Sequence, residues 1–465
     1  MAPSTPSYQT VSNATNVSGT NQKSVLNMVL NNGMRYVTET GGDLFAEGIH
    51  MIGDVTAGTT LVQGSNADSY LASGAGEGVL VTDGDYSDLS LSSNSAMFDA
   101  AYTSNKQNKN GIDIIMTRRS FDEFVDNASL AGYLEKNYAA GNNVSFFDKL
   151  KSFGQFEKLS SALNALSGRD ILPRFSFEDM TMMRELNFDM NDHLFHNTEP
   201  NFALAGTVTP MAFKGDLGSS TKYSLFNKKQ GKYSIGLGVA FSNIKSDDAQ
   251  KENGRKEMMY QMIVPIGFKM LGFDIVTSPR IGYARGTYDR TGFDNKTYDG
   301  TVEKRMFGLM NEARYPIPVG NWTFEPSAEI NVLGYEQKGH EKEKDYSLNI
   351  QSQNTYSVES GIGFYVTKAQ ELSKNSRLKV LAGMAAYHEF ADPYRIKVGM
   401  QGMDGSFTLR DEDASDNRAV LRARFDYEKE DFSLYGSIIS FINREIRTSL
   451  KSGMNAARAS FPDGP

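Results

Sequence analysis

The C-terminal part of the chain alternates bulky apolar residues with small or polar ones at every second position. One such stretch is GKYSIGLGVAFS, residues 231–242, in which Gly, Ala and Ser alternate with Tyr233, Ile235, Leu237, Val239 and Phe241. Successive side chains of a strand point to opposite faces of a sheet, so this stretch has one apolar and one nearly bare face. From Asn201 onward the pattern predicts about twelve strands. They lie near 201–214, 220–227, 231–245, 254–269, 271–287, 299–316, 320–336, 347–366, 375–391, 416–428, 431–441 and 444–456.

The connections between these strands alternate in length. Short turns such as MLGF and EKED alternate with long polar links such as SDDAQKENGR and RTGFDNKTYDG. Up-and-down barrels of outer membranes have short turns on one side and long loops on the other. The pattern therefore predicts a mainly β fold with a 12-stranded antiparallel transmembrane β-barrel over residues 201–461. Its apolar face would meet lipid, and its bare face would leave space in the lumen.

Aromatic residues near the strand ends are predicted to form the interfacial girdles of such a barrel, although aromatics are common in any β protein. The predicted girdle residues are Tyr233, Tyr283, Tyr335, Tyr387 and Tyr435.

A helical linker is predicted over residues 119–200, before the first barrel strand. Residues 121–134 and 156–166 keep helical spacing, and a third helix is predicted over 176–196. That helix has a methionine-rich stripe and an otherwise largely polar surface, and a helix is narrow enough to fit inside a barrel of this size. We therefore predict a helix in the pore. Its assigned pore residues are Met183, Arg184, Asn187 and Asn191.

The N-terminal part has a different organisation. Residues 1–22 are rich in Ser, Thr, Asn and Pro and are predicted to be a disordered lead. Residues 23–118 contain short β-like runs between turn residues, a pattern typical of a β-solenoid or a small sandwich. The start MAPSTPSYQT lacks the features of a signal peptide, so if the protein is exported, this chain is expected to be a fragment or to have its true start further upstream.

Composition narrows the range of functions. The net charge is −8 with both signs interspersed, which argues against a nucleic-acid surface. The chain has no cysteine, and its apolar runs are too short for a membrane-spanning helix. No nucleophile elbow, zinc-protease motif or phosphate loop is present, so no catalytic residue, metal or cofactor is predicted.

The order of these parts resembles the classical autotransporters, the type V secretion proteins of Gram-negative bacteria. The resemblance is carried by NGIDIIMTRRSF at 110–121, ALNALSGRDILPRFSFEDMTMMRELNFDMNDHLF at 162–195, and the strands KYSIGLGVAFSNIKSDD and NRAVLRARFDYEKEDFSLYGSIIS. It implies a monomeric barrel in the bacterial outer membrane that exports and anchors an N-terminal passenger at the cell surface. Its implied partners are outer-membrane lipid, the barrel assembly machinery and its own passenger. Many family members carry a protease upstream, but this chain is predicted to be no enzyme.

Two features of the sequence bear on this resemblance. Some autotransporters release the passenger by cleavage after an asparagine, and Asn142 and Asn143 in YAAGNNVSFF are the candidates here. Family members usually end on an aromatic residue on the lipid face of the last strand. Phe461 falls on the opposite parity and is followed by PDGP, which departs from that signal.

Two alternative functions remain open from the sequence. An outer-membrane enzyme, of the surface protease or lipase type, would need converging histidines and carboxylates; its only candidates are His340 with Glu341 and His388 with Glu389. A surface adhesin would instead use residues 23–118 for binding.

Overall fold

The structure is a computed structural model. It describes residues 8–10, 27–30, 35–37, 50–57, 64–72, 80–81, 85–104, 111–196, 201–213, 215–230, 232–247, 253–292, 294, 296–342, 345–374, 376–411, 414–429 and 432–442.

The chain divides into two compact units. The first consists of Met1–Ser167, Gly292–Asp294 and Gly399–Phe407. The second, which we call the barrel unit, consists of Gly168–Thr291, Asn295–Val398 and Thr408–Pro465.

The first unit combines short strands with three helices. Its strands are β1 (Tyr8–Thr10), β2 (Asn27–Leu30), β3 (Arg35–Val37), β4 (His50–Ala57), β5 (Ser69–Ala72), β6 (Leu80–Val81), β7 (Asp85–Ser93), β8 (Phe98–Ser104) and β9 (Gly111–Arg118). Its helices are α1 (Ala128–Ala139), α2 (Val144–Lys151) and α3 (Phe156–Ser167).

The early strands of this unit pair in parallel across long separations in the chain. β1, β3 and β6 form one parallel ladder, and β2, β4 and β7 form another. Parallel pairing requires a long crossover between partners, which successive coils of a solenoid provide. β9 ends the unit's strands by pairing antiparallel with β5, β6 and β8.

Helix α1 begins later than the sequence pattern predicted. The apolar spacing indicated a helix from Phe121, but residues 121–123 form a single 3₁₀ turn and α1 starts at Ala128. Asn127 caps α1, because its side-chain oxygen accepts a hydrogen bond from the amide of Leu130 at 2.9 Å. Because a capping residue has a non-helical backbone conformation, the cap at Asn127 sets the start of α1 at Ala128.

Arg118 joins the end of β9 to helix α1. Its guanidinium pairs with Glu135 at 2.7 Å and with Asp68 at 2.9 Å, and it lies 4.5 Å from the ring centre of Tyr138. Burial raises the pKa of Tyr138, so its hydroxyl stays protonated and donates to the carbonyl of Ala67 at 2.7 Å. The final strand and first helix are thereby held together.

The barrel unit contains helix α4 (Arg174–His196) and one large antiparallel sheet. Its strands are β10 (Asn201–Phe213), β11 (Gly215–Gln230), β12 (Tyr233–Asp247), β13 (Gly254–Ile263), β14 (Ile266–Met270), β15 (Phe273–Thr291), β16 (Thr297–Arg314), β17 (Ile317–Val319), β18 (Trp322–Glu341), β19 (Leu348–Ser373), β20 (Ser376–Glu389), β21 (Arg395–Met400), β22 (Phe407–Arg410), β23 (Asn417–Lys429) and β24 (Phe432–Ile442).

The main path of the sheet is β10-β11-β12-β13-β15-β16-β18-β19-β20-β23-β24, in which each strand follows its neighbour along the chain apart from short interruptions. This confirms the predicted strands from 201–214 to 431–441. β13 and β14 share one predicted strand, which breaks at Pro265 because proline has no amide donor for the ladder. The hairpin β21–β22 lies between the predicted strands 375–391 and 416–428, where no strand was predicted. The predicted strand 444–456 and Phe461 lie outside the described residues.

The two faces of the sheet differ as the alternation predicted. On β12 the side chains of Ile235, Leu237 and Val239 are 47, 50 and 54% exposed, whereas Ala240 and Ser242 are 1 and 0% exposed. The exposed apolar face continues on β13, β15, β16, β18 and β19. Such a surface is costly in water and suits hydrocarbon.

The predicted aromatic girdle is wrong for two of its five members. Tyr233 and Tyr283 are 57 and 41% exposed on the outer face, but Tyr335 and Tyr387 are 1 and 4% exposed on the inner face. Their hydroxyl groups donate to the carboxylates of Asp179 at 2.5 Å and Glu329 at 2.6 Å. A buried tyrosine needs such a partner, and both tyrosines stand on the strand parity that points inward. The side chain of Tyr435 lies outside the described residues.

The sheet curves around helix α4. Side chains of α4 contact inner-face residues of β11, β12, β13, β15, β16, β18, β19, β20 and β23. Strands that lie far apart in the sheet order can reach one helix only if the sheet wraps around it. The core of this unit is therefore a helix enclosed by strands.

Candidate functional site around helix α4

The described side chains of helix α4 are buried or half-buried, although much of its sequence is polar. It follows Pro173, and ten of its 23 residues are the good helix formers Met, Leu, Glu and Arg. The side chains of Arg184, Asn187, Asn191 and Asp192 are at most 5% exposed. Burying such groups is costly unless they are hydrogen-bonded or paired, so their partners define the site. The partners form three clusters along the helix.

The N-terminal cluster consists of Glu178, Asp179, Arg255, Glu257, Lys304 and Tyr335. Lys304 Nζ lies 2.7 Å from Asp179 Oδ2 and 2.5 Å from Glu257 Oε2. Arg255 pairs with both of these carboxylates as well, at 2.9 Å from Glu257. All four of these side chains have zero relative exposure. We call the strands that surround α4 the wall. Two cations of the wall, Arg255 and Lys304, thus pair with Asp179 of the helix and Glu257 of the wall.

The central cluster surrounds Arg184 of α4. Its guanidinium lies 3.0 Å from Glu389 and 3.3 Å from Glu359, and it donates to the hydroxyl of Ser357 at 2.9 Å. Glu359 also pairs with Arg418 at 2.7 Å. A charge on the helix is therefore neutralised by two carboxylates of the wall.

The predicted pore residues Met183, Asn187 and Asn191 also meet the wall. Arg280 donates to the backbone carbonyl of Met183 at 2.9 Å and to the side-chain oxygen of Asn187 at 2.5 Å. The side-chain oxygen of Asn191 accepts from Ser278 at 3.0 Å. The structure thus brings all four predicted pore residues into contact with residues of the strands.

The C-terminal cluster surrounds Asp192. Its two oxygens lie 2.9 Å from Arg314 and 3.0 Å from Arg424. Arg314 pairs with Glu312 at 2.7 Å, and its guanidinium lies 4.3 Å from the ring centre of Phe195. Opposite charges face each other across the helix–wall contact here too.

The bare face of β12 lies against the apolar part of the helix. A β-carbon placed on Gly238 would lie 2.9 Å from Cε of Met190, and one on Gly267 of β14 would lie 3.8 Å from Leu194. Leu225 and Ala240 are buried in the same apolar cluster. Small residues on this face therefore make room for the methionine and leucine side chains of α4.

The sequence analysis missed the wall residues that hold the helix. Their signal was parity: in β13, Arg255 and Glu257 stand on the face opposite to Met258, Tyr260 and Met262. A charged residue within a strand, on the face opposite to the exposed apolar series, marks an inward position. This signal shows which face of the strand a charged side chain occupies, but it does not show which residue of α4 the side chain pairs with.

The histidine–glutamate pairs of the alternative enzyme do not converge. Glu341 and Glu389 are buried and pair with Arg290 and Arg184, whereas His340 and His388 are exposed. Adjacent residues of a strand point to opposite faces, so each histidine is directed away from its neighbouring carboxylate. Nothing in this arrangement favours a hydrolytic site.

The two asparagines proposed for cleavage lie in the first unit. The Asn142 amide donates to the side-chain oxygen of Asn137 at 2.9 Å and to the carboxylate of Asp404 at 3.2 Å. Asn143 has φ +46° and ψ 53°, a left-handed conformation at the start of α2. Both residues thus lie in a turn between α1 and α2, with one carboxylate nearby.

Among the described residues, no group of histidine, cysteine and acidic side chains is arranged to hold a metal ion. No helix in the described parts of the chain is both long enough and apolar enough to cross a bilayer.

A comparison of the chain with models of known protein families finds a match. Residues 218–438 match the family model described as the autotransporter beta-domain. No curated protein sequence matches the chain.

Three solved structures illustrate the similarity. The translocator domain of NalP from Neisseria meningitidis is 14% identical, with a TM-score of 0.44, and the match covers 57% of this chain and 90% of that one. The beta domain of the Bordetella autotransporter BrkA is 13% identical over 52 and 93% of the two chains, with a TM-score of 0.32. The transport unit of AIDA-I from Escherichia coli is 8% identical over 56 and 91%, with a TM-score of 0.35.

The family match covers the strands that enclose α4 and expose the apolar face. Residues 218–438 therefore form an autotransporter beta-domain, the outer-membrane translocator that exports a passenger to the cell surface.

Proposed function

We propose that helix α4 remains in the pore after export, seals the lumen and anchors the passenger to the barrel. The observation that carries this proposal is the set of buried ion pairs between helix and wall. Asp179, Arg184 and Asp192 each meet at least two oppositely charged side chains of the strands.

The charge pattern supports a final resting position for the helix. With the helix absent, Lys304, Arg314 and Glu389 would each lose one oppositely charged partner and face the lumen. With the helix in place, each pairs with a side chain of α4 and water is excluded. Displacing the helix by one turn would separate these pairs, and an uncompensated buried charge costs about 3–5 kcal/mol. The helix would therefore stop at one position along the pore.

Conductance of a planar bilayer measures whether α4 seals the pore. We expect the full chain to give small or absent conductance steps, and a variant lacking Arg174–His196 to give large steady ones. Both proteins should show heat-modifiable migration on a gel, which establishes that each barrel is folded. Equal conductance of two folded barrels would contradict the proposal.

The same proposal covers the partners of the barrel and the boundaries between the parts of the chain. Outer-membrane lipid would contact the apolar face, and the barrel assembly machinery would insert the monomeric barrel. Residues 1–22 would form a lead, 23–118 the passenger end, 119–200 the linker with the pore helix, and 201–461 the barrel. The β-domain itself is not catalytic. Any enzymatic activity, including that of an upstream protease, would belong to the passenger.

We also propose that cleavage after Asn142 or Asn143 can end this anchoring, since the cut would separate the passenger from α4, which stays in the pore. In such a reaction the side-chain amide nitrogen of the asparagine attacks its own backbone carbonyl carbon and closes a succinimide ring. The peptide bond to the next residue breaks, and the proton lost by that nitrogen passes to the leaving amine, which becomes the new amino terminus. The Asp404 carboxylate near the Asn142 amide supports the choice of this turn. Mass spectrometry of surface-displayed protein should then find a new amino terminus at Asn143 or Val144. The double variant Asn142→Ala, Asn143→Ala should remain intact; a fragment of the same size from that variant would refute the assignment.

A further inference from the structure

The short-turn rim of the barrel unit has two chemically different sectors. This rim carries the turns between β11 and β12, β14 and β15, β17 and β18, β19 and β20, and β23 and β24. Three of these turns are charged or polar, with the sequences NKKQGK, SKNS and EKED. The other two, MLGF and IPVGNW, are apolar, and they are neighbours because β15 pairs with β16.

The first apolar turn has an unusual residue at its tip. Leu271 is 88% exposed and has φ +51°, and Gly272 follows with φ +87°. A two-residue hairpin turn with two positive φ angles favours Asn-Gly or Asp-Gly, since asparagine and aspartate tolerate the left-handed region better than leucine. A turn surrounded by water would gain nothing from leucine at this position.

The two turns form one continuous apolar surface. The ring of Phe273 lies 5.0 Å from that of Tyr315, and Tyr315 also covers Gly272. Met270, Ile317, Val319 and Trp322 are 53, 42, 55 and 44% exposed beside them. This surface adjoins the outer face of β15 and β18.

Charged groups lie only at the edge of this surface in the described residues. Lys269 pairs with Asp274 at 2.8 Å across the base of the first turn. The ammonium of Lys368 lies 5.0 Å from the ring centre of Trp322. A lysine beside a tryptophan is the arrangement found where a protein passes from hydrocarbon to headgroups.

We propose that this sector, formed by Met270, Leu271, Phe273, Ile317, Val319 and Trp322, is embedded in the periplasmic leaflet of the outer membrane. The proposal rests on the lipid contact proposed above and on the rule that short turns of such barrels face the periplasm. The three polar turns of the same rim remain in water. The barrel is therefore inserted more deeply on the side of β14–β18, which tilts it in the bilayer.

The chain offers a direct test because Trp322 is its single tryptophan and lies within the sector. In vesicles of unlabelled and acyl-brominated phosphatidylcholine, emission of the unaltered protein should be quenched by bromine. The tip itself is examined with Leu271→Trp in a Trp322→Phe background. We expect its emission to lie at short wavelength, to lose most of its intensity in brominated lipid and to resist aqueous acrylamide.

Two further variants in the same background provide the controls. Lys374→Trp places the probe in the polar turn SKNS of the same rim, where we expect strong quenching by acrylamide and little by bromine. Ile281→Trp places it at mid-strand on the outer face, where the native side chain is 56% exposed. Quenching of that probe by bromine shows that the barrel is in lipid.

The outcomes separate the two proposals. If the probes at 271 and 322 behave like the one at 374 while the probe at 281 is quenched by bromine, the rim proposal is wrong and the sector is free for a protein partner. If the probe at 281 also resists bromine, the lipid contact of the barrel itself fails.

Discussion

Replacing Lys304 by methionine is expected to destabilise the barrel unit by about 3–5 kcal/mol, because it leaves two buried carboxylates with too little positive charge. Asp179 and Glu257 would then share Arg255 alone, where the native protein provides two cations. The midpoint temperature of heat-modifiable migration, compared with that of the native protein, measures this loss.

Two variants distinguish charge balance from general damage. Lys256→Met makes the same chemical change on the exposed face of β13 and should have little effect. Lys304→Met combined with Glu257→Gln removes one charge of each sign and should recover much of the lost stability. A double variant no more stable than Lys304→Met would show that the lysine does not act by neutralising these carboxylates.

Replacing Gly238 by leucine is expected to destabilise the contact between helix α4 and the wall by about 1–3 kcal/mol through overpacking. The new side chain would enter the space of Met190, since even a β-carbon at position 238 would lie 2.9 Å from Cε of that residue. Gly238→Ala should be much milder, because the end of a methionine side chain can move aside. The same gel-shift midpoint reports both changes.

The reciprocal change makes the test specific for the helix. Met190→Ala alone leaves a cavity and should cost about 2–5 kcal/mol. In the combination of Gly238→Leu with Met190→Ala, the leucine fills that cavity, so the double variant should be more stable than the sum of the single changes predicts. Strict additivity of the two effects would indicate that Met190 does not lie against Gly238 in the folded protein.

The sequence predicted the strands well because the two faces of each strand lie in different environments, so apolar residues alternate with small or polar ones. An apolar outer side and a bare inner side impose a period of two, and β12 shows it in five successive outward positions, all of them apolar. The start of α1 was predicted less well, since apolar spacing continues through the 3₁₀ turn while the boundary depends on the Asn127 cap. The girdle prediction failed at Tyr335 and Tyr387 because it considered only that they are aromatic and near strand ends. It did not consider which face of the strand each position occupies.

The candidate site was predicted in part. The polar surface of α4 and the bare face of β12 indicated that a helix could occupy the lumen. Neither pattern indicated that Asp179 would meet Lys304 or that Arg184 would meet Glu389. A helix in water and a helix in a charged pore have similar sequences, because both keep polar groups on the surface.

The sequence by itself determined which residues form strands, which face of each strand is apolar, and that a partly polar helix precedes the sheet. These properties follow from the local period of the chain, which any short window contains. Only the tertiary structure decided which charges pair, since Asp179 and Lys304 are 125 residues apart and Arg184 and Glu389 are 205 apart. Such partners meet because the sheet curves around the helix, and the free energy of each pairing depends on the exclusion of water that this enclosure produces.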